Sequence, residues 1–198
     1  MKILRTLLFV LLGLIVLFFL MGLLKPFVSY GTEITVEKPI QEAWEVVQDP
    51  DNFQYWLEGF KSMELIEGES EKVGAKHRVI VNPGDGQEDF EMIETLTSIK
   101  EFDHVEMEFE SEMMDFYQKI NFSEADGKTT ISTDSRVEGK GIMMRSMFTM
   151  MEMLGGSFTA QETKNFEALK KLIEANTKDY NPAPVVEEAE TVSESMEK

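Results

Sequence analysis

GIMMRSMFTMMEMLGGSFTAQETKNFEALKKLIEAN, residues 141–176, is the stretch around which the rest of the chain must be arranged. It reads as one long helix with a bend at Gly155-Gly156, glycine pairs being a usual place for a helix to kink. Its first half carries apolar side chains on nearly every side: Ile142, Met143, Met144, Met147, Phe148, Met150, Met151, Met153 and Leu154. The second half is amphipathic. Phe158, Phe166, Leu169, Leu172 and Ile173 return at helical spacing, with Glu162, Lys164, Lys170, Lys171 and Glu174 between them on the expected wet side. A helix apolar all round has to be covered, so the strands that precede it are expected to curl around it.

Those strands can be read off the chain. TEITVEK, residues 32–38, alternates Ile34 and Val36 with charges and predicts a first strand. Pro39 then opens a helix through Ile40, Ala43, Trp44 and Val47 that stops at Asp49-Pro50. A second short helix brings Phe53, Trp56 and Leu57 together and is expected to close on Gly59. Six strands follow, at 60–67, 75–81, 89–100, 105–110, 115–123 and 129–138, with a strong turn signal at Asn82-Pro83-Gly84-Asp85-Gly86. In the fourth of these, Val105, Met107 and Phe109 alternate with Glu106, Glu108 and Glu110, the pattern of an antiparallel strand with one wet face. One face of antiparallel strands and most of one helix must both be buried, which predicts an α+β fold. A curved antiparallel sheet grips a long C-terminal helix, with two short helices after the first strand.

The N-terminus is a separate element. Residues 1–5 form a basic start with Lys2 and Arg5, and Thr6 to Leu24 runs 19 residues without a charge. That is close to the ~20 needed to cross a bilayer. A cleaved signal peptide has a shorter apolar core and small residues at its end. This run is longer and ends in Met-Gly-Leu-Leu-Lys-Pro-Phe, so residues 6–24 are expected to be a retained transmembrane helix. Lys2, Arg5 and the α-amino group before it slightly outweigh Lys25 and Lys38 after it, placing the globular part outside the cytoplasm. Residues 25–31 form a linker, 32–176 the folded domain, and 177–198 an acidic tail, rich in Glu, Ser and Pro, expected to be disordered.

Composition excludes several functions. The chain has 198 residues and a formal net charge of −18. That charge opposes nucleic-acid binding, which needs Lys and Arg on phosphates. It equally disfavours docking of the soluble part on anionic lipid. There are no cysteines, which removes disulfides, thiolate chemistry and cysteine-based zinc sites.

The segment ITVEKPIQEAWEVVQDPDNFQYW, the later GAKHRVIV and the terminal FEALKKLIEAN resemble the START/polyketide-cyclase superfamily, called SRPBCC, whose fold is a helix grip. Trp44, Asp49-Pro50 and Trp56 stand at the spacing of its cyclase/dehydrase-like members, and the resemblance spans about residues 32–176. It implies a cavity between sheet and long helix. Its members include lipid carriers, hormone receptors and aromatase/cyclases, so the scaffold alone does not fix an activity. An N-terminal span and six methionines between Met143 and Met153 set this chain apart from the commonest members.

The resemblance implies a domain that binds a hydrophobic small molecule or lipid in that cavity, and the N-terminal span would anchor it to a membrane. The residues expected to line the cavity are Trp56, Phe90, Met107, Phe109, Phe116, Met143, Met147, Met151 and Leu154. The methionines would serve as core filler and as a deformable wall. The alternatives are a cyclase/dehydrase-type enzyme and an anchored interaction module whose cavity is filled by its own side chains. No catalytic constellation, metal-ligand spacing or cofactor motif occurs. His77 and His104 sit on strands without nucleophilic partners, and Arg136 and Arg145 are expected in surface ion pairs.

Overall fold

The computed structural model describes residues 2–82, 84 and 88–180. Most of the turn expected at 82–86 and the tail from 181 onward therefore lie outside the described residues. The elements run α1 (Lys2–Leu24), β1 (Val28–Tyr30), β2 (Glu33–Val36), α2 (Ile40–Gln48), α3 (Phe53–Trp56), β3 (Phe60–Glu67), β4 (Lys76–Val81), β5 (Phe90–Lys100), β6 (His104–Glu110), β7 (Met114–Ala125), β8 (Lys128–Gly139), α4 (Ile142–Gly155) and α5 (Ser157–Ala175). All strand pairs are antiparallel, in the order β1-β8-β7-β6-β5-β4-β3, with β2 also on β8.

β8 shows how the sequence sets the sheet. Thr129, Ile131, Thr133, Ser135 and Val137 are buried while the residues between them face outward. Three of those five inward side chains are hydroxyls, and each has a use. Thr129 Oγ1 donates to the Lys38 carbonyl at 2.8 Å, the Thr133 hydroxyl accepts from Thr32 N at 2.9 Å, and Ser135 reaches α5. The edge beside β8 is one strand broken in two. β1, which lies within the expected linker, pairs with Ser135–Val137, and β2 continues along Thr129–Ser132. Between them Gly31 approaches so closely that a Cβ there would lie 2.3 Å from the Thr133 carbonyl oxygen.

α5 lies in the grip of the sheet. Phe166, Leu169 and Ile173 are buried against Val36, Trp44, Trp56, Leu96, Val105, Ile120, Phe122 and Ile131. Each such side chain contributes roughly 1.5–3 kcal/mol of burial. Trp44 fills the far end of this core, edge-on to Phe122 at 5.0 Å and Phe102 at 5.9 Å. α3 ends at Trp56, where Leu57 N bonds the Phe53 carbonyl at 2.9 Å, so Gly59 is not its cap. Gly59 instead turns the chain at φ +77°, against Asn82, into β3. Beyond Asn176, Lys178 and Tyr180 still contact the domain, both bonding the Asp49 carboxylate.

The single long helix expected over 141–176 is two helices. Gly156 adopts the left-handed conformation, φ +57°, and its N–H caps α4 on the Glu152 carbonyl at 2.8 Å. Only α5 enters the grip. The Met-rich α4 packs on a second cluster at the β1–β8 end, where Phe148, Met144 and Met147 meet Val28 and Val137. Its opposite flank meets the last turns of α1. Gly22 is so close that a Cβ would stand 2.3 Å from Ser146 Oγ and 2.6 Å from the Ile142 carbonyl oxygen. The sheet therefore does not wrap the methionines, and Met143, Met151, Met153 and Leu154 are exposed. An all-round apolar helix needs covers on several sides, and here α1 supplies one of them.

Candidate functional site

A partly enclosed cavity of about 260 Å³ lies between the inner face of β4–β7, α3 and the first half of α5. It is slightly smaller than the ~300–1,000 Å³ usual for ligand pockets. Phe158, Glu162 and Phe166, spaced four apart on one face of α5, form one wall. Val79, Met92, Met107, Phe109, Phe116 and Ile120 rise from the strands opposite. Trp56 closes the α3 side, its ring edge-on to Phe166 at 5.7 Å. Tyr30 and Phe158 stack at 5.6 Å beside α4, and Phe158 meets Phe148 of α4 edge-on. At the solvent side, Gln161 and Lys164 bond the Glu58 carboxylate and so tie α5 to the loop after α3.

The wall is largely apolar, but several polar groups are built into it. Glu162 is 5% exposed. Its Oε1 accepts from Ser135 Oγ at 2.5 Å and from Gln118 Nε2 at 2.9 Å, whereas Oε2 has no partner. Trp56 Nε1–H is equally buried and equally unpartnered. Glu94 lies on the wall from β5, with His77 Nδ1 3.4 Å from its Oε1. Burial pushes the Glu94 carboxyl up to about 7 and pulls His77 down, so the two directions agree on a neutral pair. Tyr30 is shifted upward by burial, then by the charges of Glu162 and Glu152, and keeps its proton. A wider depression of about 760 Å³ involving Glu108, Asp134 and Glu138 on the outer face of the sheet is open to solvent.

Of the residues expected from the sequence to form the cavity, Trp56, Met107, Phe109 and Phe116 come together on its wall. Phe90 stands at the end of β5 opposite Val81, off the wall. Met147 packs in the β1–β8 cluster, and Met143, Met151 and Leu154 project from α4. They miss the cavity because α4 turns away at Gly156. Arg145 pairs with Glu138 at 2.7 Å, and Arg136 pairs with the same carboxylate while lying over the Phe27 ring. Glu162 and Glu94 are wall residues that the sequence reading misses. The signal for Glu162 is its place midway between Phe158 and Phe166, a carboxylate inside an apolar stripe. For Glu94 it is alternation, since Met92 and Leu96 flank it two residues away on either side.

Solved structures with the same architecture are numerous. A conserved protein from Geobacillus kaustophilus is 22% identical with a TM-score of 0.59, over 74% of this chain and 95% of that one. The protein TTHA0849 from Thermus thermophilus is 11% identical with a TM-score of 0.62, over 76% of this chain and all of that one, 100%. The di-domain ARO/CYC BexL from the BE-7585A biosynthetic pathway is 14% identical with a TM-score of 0.58, over 77% of this chain and 52% of that one. At such identities the likeness is one of fold. None of the curated proteins matches the chain. The sequence profile of the polyketide cyclase/dehydrase and lipid transport family matches residues 28–174. By that match, and by the helix-grip architecture around the cavity, the chain belongs to the polyketide cyclase/dehydrase and lipid transport family.

Proposed function

We propose that the protein is a membrane-anchored binding module that takes a small apolar molecule into the cavity between sheet and α5. The observation that carries this reading is the mostly apolar cavity that the chain's own side chains leave unfilled. Family membership supports it, because lipid transport is among the activities the family's description names. The anchor is α1: 23 residues, uncharged after Arg5 and exposed along almost its whole length. It meets the domain through its last turns on α4, so a ligand in the membrane would lie on the side of the domain bordered by Tyr30 and Phe158. Exposed Met143, Met153 and Leu154 are on the same helix that receives α1. The basic start of the chain supports a domain that lies outside the cytoplasm.

Extraction of the purified full chain into organic solvent, followed by mass spectrometry, is expected to recover a bound apolar compound. A chain that is empty and takes up nothing from a panel of apolar compounds contradicts the reading. The intact mass of the membrane-derived protein, with residues 1–24 retained, tests the anchor separately.

The two buried carboxyls on the wall, Glu94 and Glu162, favour a second reading, an enzyme of cyclase or dehydrase type. Glu94 keeps its proton near neutral pH and would serve as an acid, and Glu162 would serve as the base. A bound compound released chemically altered, with alteration lost in Glu94→Gln, distinguishes this reading from simple carriage.

A further inference from the structure

Building on the reading of the cavity as a ligand site, we infer that its ligand is an uncharged or cationic amphiphile whose polar end donates a hydrogen bond to Glu162, and that apolar carboxylates are rejected.

The unused atom on the wall points to the donor. Glu162 is nearly fully buried, and both of its protein partners, Ser135 and Gln118, converge on Oε1. Oε2 is a buried acceptor without a donor. Buried acceptors are ordinarily satisfied, so Oε2 calls for a donor that the protein does not supply, and the cavity that Glu162 lines is where one can enter. An O–H or N–H on the ligand completes it. The unpartnered Trp56 Nε1–H on the same wall complements it, donating to an oxygen on the ligand.

The charge pattern sets the exclusion. Among the described wall residues there are three glutamates, Glu58, Glu94 and Glu162, and no lysine, arginine or histidine. The nearest cation at the rim, Lys164, is already bonded to Glu58. His77 lies behind Glu94. Gln118 has committed its amide to Glu162. Glu94 holds its proton and Glu58 is paired with Lys164, so the charge a carboxylate meets in this poorly screened interior is that of Glu162, to whose open oxygen it can donate nothing. A cation or a neutral donor meets the opposite situation.

The test compares four ligands of one chain length on the full protein in phosphatidylcholine nanodiscs near neutral pH, with empty nanodiscs as the background. They are decanol, decylamine, decanoate and decyl methyl ether, which keeps the oxygen but has no donor. Decanol and decylamine are expected to bind, with decanoate at least ~10-fold weaker and the ether several-fold weaker than decanol. In Glu162→Gln, whose amide can itself donate, the decanoate penalty is expected to shrink to about threefold or less. Decanoate or the ether binding as tightly as decanol overturns the inference while leaving the cavity a ligand site. Failure of all four to bind above background overturns the reading of the cavity itself.

Discussion

Glu94 and His77 face one another on neighbouring strands, and each is driven by burial toward its neutral form. In the unfolded chain the Glu94 carboxyl loses its proton near 4.5; in the folded chain it holds it up to about 7. Stability from this group is full below the lower value. It falls between the two, because folding then requires a proton to be taken up, and the loss is complete above about 7. It amounts to ~3 kcal/mol at most. His77 runs the other way, losing stability as pH falls through its lowered folded value. Glu94→Gln removes the first effect alone. Denaturant unfolding is expected to find the variant more stable than wild type at about pH 8 and similar near pH 5. A variant no more stable at alkaline pH contradicts the buried, raised carboxyl. Position also sets the cost of losing a leucine. Leu169, fully buried on α5, should lose ~2–5 kcal/mol on truncation to alanine. Leu154, 82% exposed on α4, should lose under ~0.5 kcal/mol in the same measurement.

At the scale of elements, the break between α4 and α5 separates an apolar helix that packs on the edge of the fold from an amphipathic one that enters its core. Two adjacent glycines divide the work unequally. Gly156 holds the left-handed conformation, whereas a Cβ at Gly155 meets only Ser157 Oγ at 3.8 Å. Gly156→Ala is therefore expected to destabilise by ~1–2 kcal/mol, and Gly155→Ala to be neutral or slightly stabilising. Equal effects in thermal unfolding would count against the break. Gly22 tests the other contact. Leucine there cannot fit against the backbone of Ile142 and Ser146. It should loosen α1 from α4 and speed proteolysis after Lys25, while the melting temperature of the domain changes little.

Most elements are legible in the sequence because their physics is local. Alternation locates β2 and β6, turns at Gly68, Gly74 and Asp126-Gly127 bound β3, β4 and β8, and Pro39 and Asp49-Pro50 bracket α2. Trp56, Met107, Phe109 and Phe116 reach the cavity wall because strand alternation and helical spacing fix the inward face. What the sequence hides is non-local. Composition states that α4 needs cover without saying what provides it, and α1 reads only as a span. Glu162 reads as a wet-side residue, as charged residues usually are, and its burial depends on Ser135 and Gln118, 27 and 44 residues away. β1 escapes the reading because three residues beside a glycine carry too little pattern.

At the scale of the molecule, the parts form a chain of contacts from the N-terminal helix to the cavity: α1 on α4, α4 against Phe158, and Phe158 on the cavity wall. On the proposed reading of α1 as an anchor, a net charge of −18 would keep the rest of the chain off anionic lipid and leave α1 as the means of holding it near a bilayer. The most direct test of an apolar ligand seated against α5 uses the two tryptophans of the chain. Trp56 lines the cavity, and Trp44 is buried in the adjoining core away from it. In Trp44→Phe, brominated decanol presented to the full chain in nanodiscs is expected to quench Trp56 saturably, and unbrominated decanol to reverse the quenching. Trp56→Phe, which reports from Trp44, should show little change. Unsaturable or equal quenching of both indoles would contradict a ligand held between the sheet and the last helix.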